Sequence, residues 1–295
     1  MMKELKGIIP PATTPFSSNG DLDVETSREQ FRWLKQSGCH GIAVGGSTGE
    51  GHTLSREEFY SLLETAVETL GNDFPLIAGI IVNSTVEAIE RGRMARDLGA
   101  DALQVTPVHY LFRPDDEAMV RHFSEICETT EMPIIIYNVV PWTYLSPELL
   151  CRIMREIPEV IGVKQSAGDL KLMADLLAQC QPDNLIFSAV DALLYPSFIL
   201  KARGAIAAVL AALPELCVEL WNCVEAGNHS RALELHGHLL EFWNACSLEN
   251  LPACVKFAQS LQGIPESFPR APMPVANAKA QERIMSALKN AGVIS

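Results

Sequence analysis

The sequence has no apolar run long enough to cross a membrane and no low-complexity tract. A transmembrane helix needs about 20 consecutive apolar residues, and the opening Met-Met-Lys-Glu-Leu-Lys lacks the apolar core of a signal peptide. Positive charge is scarce, and the net charge of −13 argues against nucleic acid or an anionic membrane as the main partner. We therefore expect a globular protein that binds neither.

The sequence also lacks a Cys-x-x-Cys pair, although it contains eight cysteines. Most of them lie within apolar helical patterns, which favours small reduced side chains in a cytoplasmic protein over a disulfide framework. His236 and His238 are two residues apart and therefore point to different faces of a helix, which argues against a paired metal site. We expect no metal and no other cofactor.

Short apolar segments alternate with helical patterns along the first 212 residues. Eight segments have the continuous apolar character of strands covered on both faces of a parallel sheet: residues 7–15, 41–46, 75–81, 102–106, 133–138, 160–165, 185–189 and 205–209. Seven helical patterns separate them, and Ser55 with Glu58 forms a capping-box pattern at the start of one. The alternation predicts an α/β fold, a (β/α)8 TIM barrel of residues 1–212, with the doubly wound sheet as the alternative.

After residue 212 the strand pattern stops. Further helical patterns follow over residues 214–226, 230–245, 252–262 and 278–291. A (β/α)8 barrel typically takes about 250 residues, so a longer chain leaves a C-terminal remainder. We predict that residues 213–295 form a helical extension packed on the barrel.

Lys164 stands near the end of the apolar segment Val-Ile-Gly-Val-Lys-Gln at 160–165. Lysine is rarely buried without a partner, and burial can lower its pKa by about 3–5 units. A neutral amine near pH 7 can attack a carbonyl and form a Schiff base. A lone lysine at a strand end more often extends its amine to solvent, so the case for chemistry depends on the other polar residues of the chain.

Polar residues also stand at the ends of other predicted strands, the side of a barrel where active sites form. They are Gly45-Gly-Ser-Thr-Gly-Glu-Gly51, Thr106-Pro-Val-His-Tyr110, Tyr137-Asn138 and Asp191. A glycine-rich turn with Ser and Thr can present backbone N–H groups and hydroxyls to a carboxylate. It is not a Walker A loop, since no lysine follows its last glycine, and by itself it also fits a structural turn.

Three of these motifs together resemble one family. Gly45-Gly-Ser-Thr-Gly-Glu50, Tyr137-Asn138 and Val163-Lys-Gln-Ser-x-Gly-Asp169 occur in the order and at the spacings of the Schiff-base-forming, pyruvate-dependent aldolases. That family includes N-acetylneuraminate lyase and dihydrodipicolinate synthase. The resemblance extends to Pro252-x-x-Val-Lys-Phe-Ala258 and Leu288-Lys-Asn-Ala-Gly292, and so covers nearly the whole chain.

The resemblance implies a role for each matching residue. Lys164 is expected to form the imine with the keto carbon of the substrate, and the protonated imine then acts as an electron sink. Tyr137 is expected to move protons with Ser47 as its relay partner. Ser47 and Thr48 are expected to bind the pyruvate carboxylate. Ile206 matches a position whose backbone lines the pyruvate site.

The chain departs from the family at two positions near the expected site. The family completes its proton relay with a tyrosine from a neighbouring subunit, just after the Thr-Pro of strand four. An ungapped match places His109 there, and Tyr110 comes next, so either could serve. Dihydrodipicolinate synthases have an arginine that grips the second substrate's carboxylate where this chain has Trp142. Losing that bidentate partner weakens the synthase interpretation.

The sugar-handling members are also an imperfect match. They follow the strand-seven aspartate, here the candidate substrate-binding residue Asp191, with Glu, whereas Ala192 follows here. They also have a Ser after strand eight, whereas residues 207–209 carry no hydroxyl. Trp142, Tyr144 and Phe112 suggest a pocket for a smaller or partly apolar aldehyde portion.

The sequence therefore predicts a cytoplasmic lyase that forms a lysine Schiff base with pyruvate or another 2-keto acid, its second substrate unassigned. The alternatives are an authentic 4-hydroxy-tetrahydrodipicolinate synthase, a 2-keto-3-deoxy sugar acid aldolase or dehydratase, and a non-catalytic pyruvate-binding protein. The aromatic loop 108–112 would be costly to leave exposed. We therefore expect a homo-oligomer, a dimer of dimers, in which His109 or Tyr110 reaches across the tighter interface.

Overall fold

The eight predicted strands form one parallel sheet in the computed structural model, which describes residues 3–246 and 249–295. Their order is β1-β8-β7-β6-β5-β4-β3-β2. The strands span β1 Gly7–Ile8, β2 Ile42–Val44, β3 Leu76–Ile80, β4 Ala102–Val105, β5 Ile134–Asn138, β6 Val160–Gln165, β7 Leu185–Ser188 and β8 Gly204–Ala205. Pro11 forms a parallel bridge with Ala43, and the Ala12 N–H donates to Ala43 O at 2.9 Å. These bonds join the two ends of the sheet, so the predicted (β/α)8 barrel is confirmed.

Helices follow the strands and cover the outside of the barrel. They span α1 Val24–Gln36, α2 Arg56–Leu70, α3 Thr85–Leu98, α4 Asp116–Thr130, α5 Pro147–Glu156, α6 Leu170–Gln179, α7 Leu194–Ile199 and α8 Val209–Ala212. The predicted capping box opens α2, because Ser55 Oγ accepts the Glu58 N–H and the Glu58 carboxylate accepts the Ser55 N–H. A side-chain cap of this kind stabilises a helix by about 1 kcal/mol.

The eighth predicted strand is shorter than the pattern 205–209 indicated. Only Gly204 and Ala205 pair as a strand, and Val209 already begins α8. Asp191 Oδ1 accepts the Val209 N–H at 2.6 Å, which satisfies one of the free donors of that helix start. The alanines at 207, 208, 211 and 212 favour helix over strand. The apolar run alone could not distinguish the two.

The interior of the barrel is filled by side chains and is not a channel. The eight residues that form this inner cluster are Leu5, Ile9, Ala43, Ile77, Ala102, Ile135, Phe187 and Ile206. A larger apolar cluster lies between the strands and the surrounding helices. Because these residues fill the lower barrel, the barrel interior has space for a ligand at the carboxyl ends of the strands.

Four helices follow the barrel: α9 Pro214–Glu225, α10 His229–Cys246, α11 Leu251–Ser260 and α12 Ala278–Asn290. They share one buried apolar cluster with Leu194, Phe198 and Ala205 of the barrel. The division after residue 212 is our proposal for a boundary within this shared core. In the described part of the chain, no helix is both long and apolar enough to cross a membrane.

Candidate active site

A cavity of about 340 Å³ opens at the carboxyl ends of the strands. Its lining comes from β5, β6, the turn after β2, the segments after β7 and β8, and the start of α11. The lining residues are Ser47, Thr48, Tyr137, Val139, Lys164, Ser166, Ala189, Asp191, Ile206, Ala207, Ala208, Leu251 and Pro252. Six residues that the sequence indicated are therefore brought together: Ser47, Thr48, Tyr137, Lys164, Asp191 and Ile206.

Among the described residues that line the cavity, Lys164 is the only cation, and its side chain is almost fully enclosed. The residue is 2% exposed, and its ammonium lies 3.7 Å from the centre of the Tyr137 ring. Tyr137 and Lys164 are register partners on β5 and β6, which fixes their separation through the sheet. Burial lowers the pKa of Lys164 to about 7, and the Asp191 carboxylate opposes that shift. A large fraction of the amine is therefore neutral, and nucleophilic, near pH 7.

Asp191 provides the negative charge closest to this amine within the cavity lining. The residue is 6% exposed, and burial raises the pKa of its carboxyl to about 6. The Val209 and Ala208 N–H groups and the Lys164 cation oppose that rise. Asp191 therefore holds the start of α8 and faces Lys164 at the same time. Its role in binding substrate stays a prediction.

Tyr137 supplies a buried phenol beside the amine. The residue is 5% exposed, and burial raises the pKa of the phenol to about 12. The nearby Ser47 and Ser166 hydroxyls oppose that rise. The phenol is consequently protonated at neutral pH, and Ser47 lines the same cavity.

The turn after β2 presents Ser47 and Thr48 to the cavity. It is closed by two backbone hydrogen bonds of 3.0 Å, from the Glu50 N–H to Ser47 O and from the Gly51 N–H to Gly46 O. A Cβ on Gly51 would lie 1.8 Å from Gly45 O, so only glycine permits this closure. The glycines of the motif thus serve the shape of the turn, and its hydroxyl residues are left to face a ligand.

Asn138 and Gln165 fix the ends of β5 and β6 next to the two reactive side chains. Asn138 Nδ2 donates to Gln165 Oε1 at 3.2 Å and to Leu145 O at 3.1 Å. Asn138 Oδ1 accepts the Leu145 N–H at 2.9 Å. Both residues are buried, so these bonds hold the strand ends without contact with solvent.

His109, Tyr110 and Trp142 lie outside the cavity lining of a single chain. The N–H groups of His109 and Tyr110 donate to Asn83 Oδ1 at 3.2 and 2.9 Å. The indole N–H of Trp142 donates to His109 O at 2.8 Å. Tyr110 is 70% exposed and Trp142 66% exposed. A short 3-10 helix at Pro141–Thr143 carries Trp142 onto the 108–112 loop.

The predicted aromatic wall of the pocket is likewise absent from the lining. Phe112 is exposed, and the Tyr144 hydroxyl donates to Ser166 O at 3.3 Å. Val139, Ala207, Ala208, Leu251 and Pro252 line the cavity in their place. Leu251 and Pro252 begin a helix far along the chain, so no local signal in the sequence could have assigned them. Ser166, which follows β6 directly, could have been found by the strand-end rule.

Comparisons with known proteins find relatives that match nearly all of this chain and nearly all of their own length. The model of the Dihydrodipicolinate synthetase family matches residues 4–291. A 4-hydroxy-tetrahydrodipicolinate synthase of Methanopyrus kandleri is 35% identical over 99% of this chain and 98% of its own. One of Brucella suis is 33% identical over 99% of this chain and 100% of its own. The crystal structure of a dihydrodipicolinate synthase from Thermotoga maritima, 28% identical, superposes with a TM-score of 0.93 over 100% of both chains.

Proposed function

The chain belongs to the dihydrodipicolinate synthetase family of pyruvate-dependent Schiff-base lyases, and we propose that Lys164 is the amine that forms the imine with pyruvate. One observation carries this assignment. Lys164 is buried, has a pKa of about 7, and lies 3.7 Å from the ring centre of Tyr137 at the top of the barrel. Reduction with borohydride in the presence of pyruvate tests it, because a stable adduct should form on Lys164.

The reaction can be written from the groups that line the cavity. The neutral Lys164 amine attacks the keto carbon, the keto oxygen leaves as water, and a C=N bond forms. The imine is protonated to an iminium, which acts as an electron sink when the neighbouring carbon loses a proton and an enamine forms. That carbon bonds to the carbonyl carbon of a second substrate, whose oxygen takes a proton. Water then hydrolyses the regenerated iminium, which releases the product and frees the Lys164 amine, and cleavage follows the same steps in reverse. Tyr137 and Ser47 carry the protons, and Ser47 and Thr48 hold the pyruvate carboxylate.

The remaining cavity wall supports an uncharged, partly apolar second substrate. Beyond Lys164, the lining contains Val139, Leu251 and Pro252 together with three alanines, and none of its described residues offers a second cation to a second carboxylate. The alternative is an authentic 4-hydroxy-tetrahydrodipicolinate synthase. Relatives that carry this name and are 33–35% identical over almost the whole chain favour that alternative.

We expect the wild-type protein to use aspartate semialdehyde poorly, and Trp142→Arg to improve this activity. Trp142 occupies the position of the carboxylate-gripping arginine of the synthases, and a new charge-assisted hydrogen bond contributes about 1.5–3 kcal/mol. The gain should therefore reach up to roughly a hundredfold in kcat/KM. Steady-state assays with pyruvate and a panel of aldehydes measure it, with Trp142→Gln as the uncharged control. Efficient wild-type turnover of aspartate semialdehyde would establish the synthase instead.

We further propose a dimer of dimers that works in the cytoplasm, as its eight free cysteines suggest. Tyr110, Leu111, Phe112 and Trp142 are 66–79% exposed, and a hydrogen bond from the Trp142 indole N–H to His109 O joins their two segments into one apolar surface. A second copy of this surface would cover it and bring His109 or Tyr110 to the partner's site. A separate apolar groove lined by Leu170, Tyr195, Pro196, Ile199, Leu200 and His229 offers the second interface.

Light scattering and a mixing experiment test this arrangement. Lys164→Ala subunits and His109→Ala/Tyr110→Ala subunits should each be inactive as pure proteins. Dissociated and reassembled together, they should regain partial activity, because a mixed pair contains one site with both Lys164 and the crossing residue. Mixed oligomers without any activity would place the relay residue in the same chain. A monomer by light scattering would exclude the interface altogether.

A further inference from the structure

A buried ion pair joins the glycine-rich turn to the C-terminal helices. The Lys256 ammonium, on α11, donates to Glu50 Oε1 at 2.5 Å and to Phe268 O at 2.7 Å. The side chains of Lys256 and Glu50 are 1% and 3% exposed. Glu50 Oε2 accepts the Arg270 N–H at 2.9 Å. Both carboxylate oxygens of Glu50 are therefore held by residues that follow the barrel in the chain.

Stability alone gives a weak reason for such a pair. Removing two charges from water costs free energy that their attraction often only offsets, so an apolar pair of similar volume can be equally stable. Burial lowers the pKa of Lys256, although the Glu50 carboxylate opposes the shift. The pair instead fixes the position of the Glu50 carboxylate. Its partners Lys256 and Arg270 are themselves held, since they lie 4.8 and 4.1 Å from the centre of the Phe16 ring.

Glu50 transmits this geometry to the turn through its own backbone. Its N–H donates to Ser47 O at 3.0 Å, and its carbonyl accepts the Thr53 N–H at 2.8 Å. Its φ of 52° lies in the left-handed region, which non-glycine residues rarely occupy without support from the surrounding structure. The side chain of Glu50 is anchored on α11 and its backbone on Ser47, yet neither Glu50 nor Lys256 lines the cavity.

We propose that Glu50 and Lys256 are positioning residues that set the Ser47–Thr48 turn to receive the substrate carboxylate. The proposal rests on the proposed function, since it takes this turn as the carboxylate site. Under this proposal the C-terminal helices contribute to the cavity in two ways. Helix α11 supplies the wall residues Leu251 and Pro252, and through Lys256 it holds the turn that binds the carboxylate.

The test compares a ketone that carries a carboxylate with one that does not. Second-order rate constants of borohydride trapping are measured with pyruvate and with acetone. The variants are Glu50→Gln and the double variant Glu50→Gln/Lys256→Met, which leaves no unpaired charge in the core. Lys3→Met is the matched control, because it removes a partly buried lysine paired with Asp101, outside the cavity lining. Circular dichroism selects a temperature at which every variant is folded.

Both variants should lose about 10- to 100-fold in trapping with pyruvate, the range of one charge-assisted hydrogen bond. Trapping with acetone should stay near wild type, and so should the limiting rate at saturating pyruvate. Equal losses with both ketones would show a merely structural role and overturn the proposal, as would folded variants with unchanged preference for pyruvate. Failure of the wild-type protein to trap pyruvate on Lys164 would instead contradict the proposed function.

Discussion

Lys164→Ala should abolish both turnover and the trapping of pyruvate by borohydride, while circular dichroism should show an intact fold. The amine carries the covalent chemistry, and no other lysine of the described chain lines the cavity. Lys164→Arg should be equally inactive, because a guanidinium is effectively never deprotonated in a protein. Lys171→Arg, which alters an exposed lysine of α6, is the control for a lysine-to-arginine change. Lys256→Arg is unsuitable as that control, because Lys256 contacts Glu50 of the glycine-rich turn. Adduct on any other lysine in Lys164→Ala would refute the assignment.

The trapping rate of the wild-type protein should also depend on pH through this amine. Imine formation needs the neutral amine, and the pKa of Lys164 is about 7. At limiting pyruvate the rate should therefore rise to a plateau above pH 7 and fall about tenfold per pH unit well below it. Asp191→Asn should move the midpoint to lower pH, because the carboxylate favours the ammonium form. A midpoint near the ordinary pKa of lysine would show that the reacting amine is not buried.

The order and number of the strands could be predicted because a covered parallel sheet leaves a strong local signal. Apolar segments of five to nine residues alternate with helical patterns, and the strand β6 was found at its observed bounds, Val160–Gln165. The last strand was less clear. Its alanines favour helix, but such a propensity is a weak signal in an apolar run. The hydrogen bond from the Val209 N–H to Asp191, which forms only in the fold, stabilises the helix start.

The site could be predicted as far as it is made from strand ends. Ser47, Tyr137 and Lys164 stand at or next to the ends of their strands, so barrel geometry brings them together. Leu251 and Pro252 could not be predicted, because their place depends on how the C-terminal helices pack on the barrel. The exposed position of Trp142 could not be predicted either, because a hydrogen bond to His109 O, 33 residues away in the chain, holds its indole.

Tyr137→Phe should lower kcat by about 10²–10⁴-fold, the usual contribution of a positioned acid–base group. The substitution removes only the hydroxyl, so the ring that lies 3.7 Å from Lys164 is kept and the cavity keeps its shape. Pyruvate should still bind through the Ser47–Thr48 turn, so KM should change little while kcat falls, as for a group needed mainly in the transition state. Tyr60→Phe is the matched control, since this exposed phenol on α2 lies outside the cavity lining.

The position of the phenol near Ser47 also allows a test of whether the two hydroxyls act together in proton transfer. Burial raises the pKa of Tyr137 to about 12, and the nearby Ser47 hydroxyl opposes that rise. If the proton passes between these groups, Ser47→Ala should also slow the proton-transfer steps, and adding it to Tyr137→Phe should cost less than the product of the two single effects. Deuterium exchange from the methyl group of pyruvate into solvent measures this step without a second substrate. A Tyr137→Phe protein that exchanges this deuterium at the wild-type rate would leave the phenol with a structural role only.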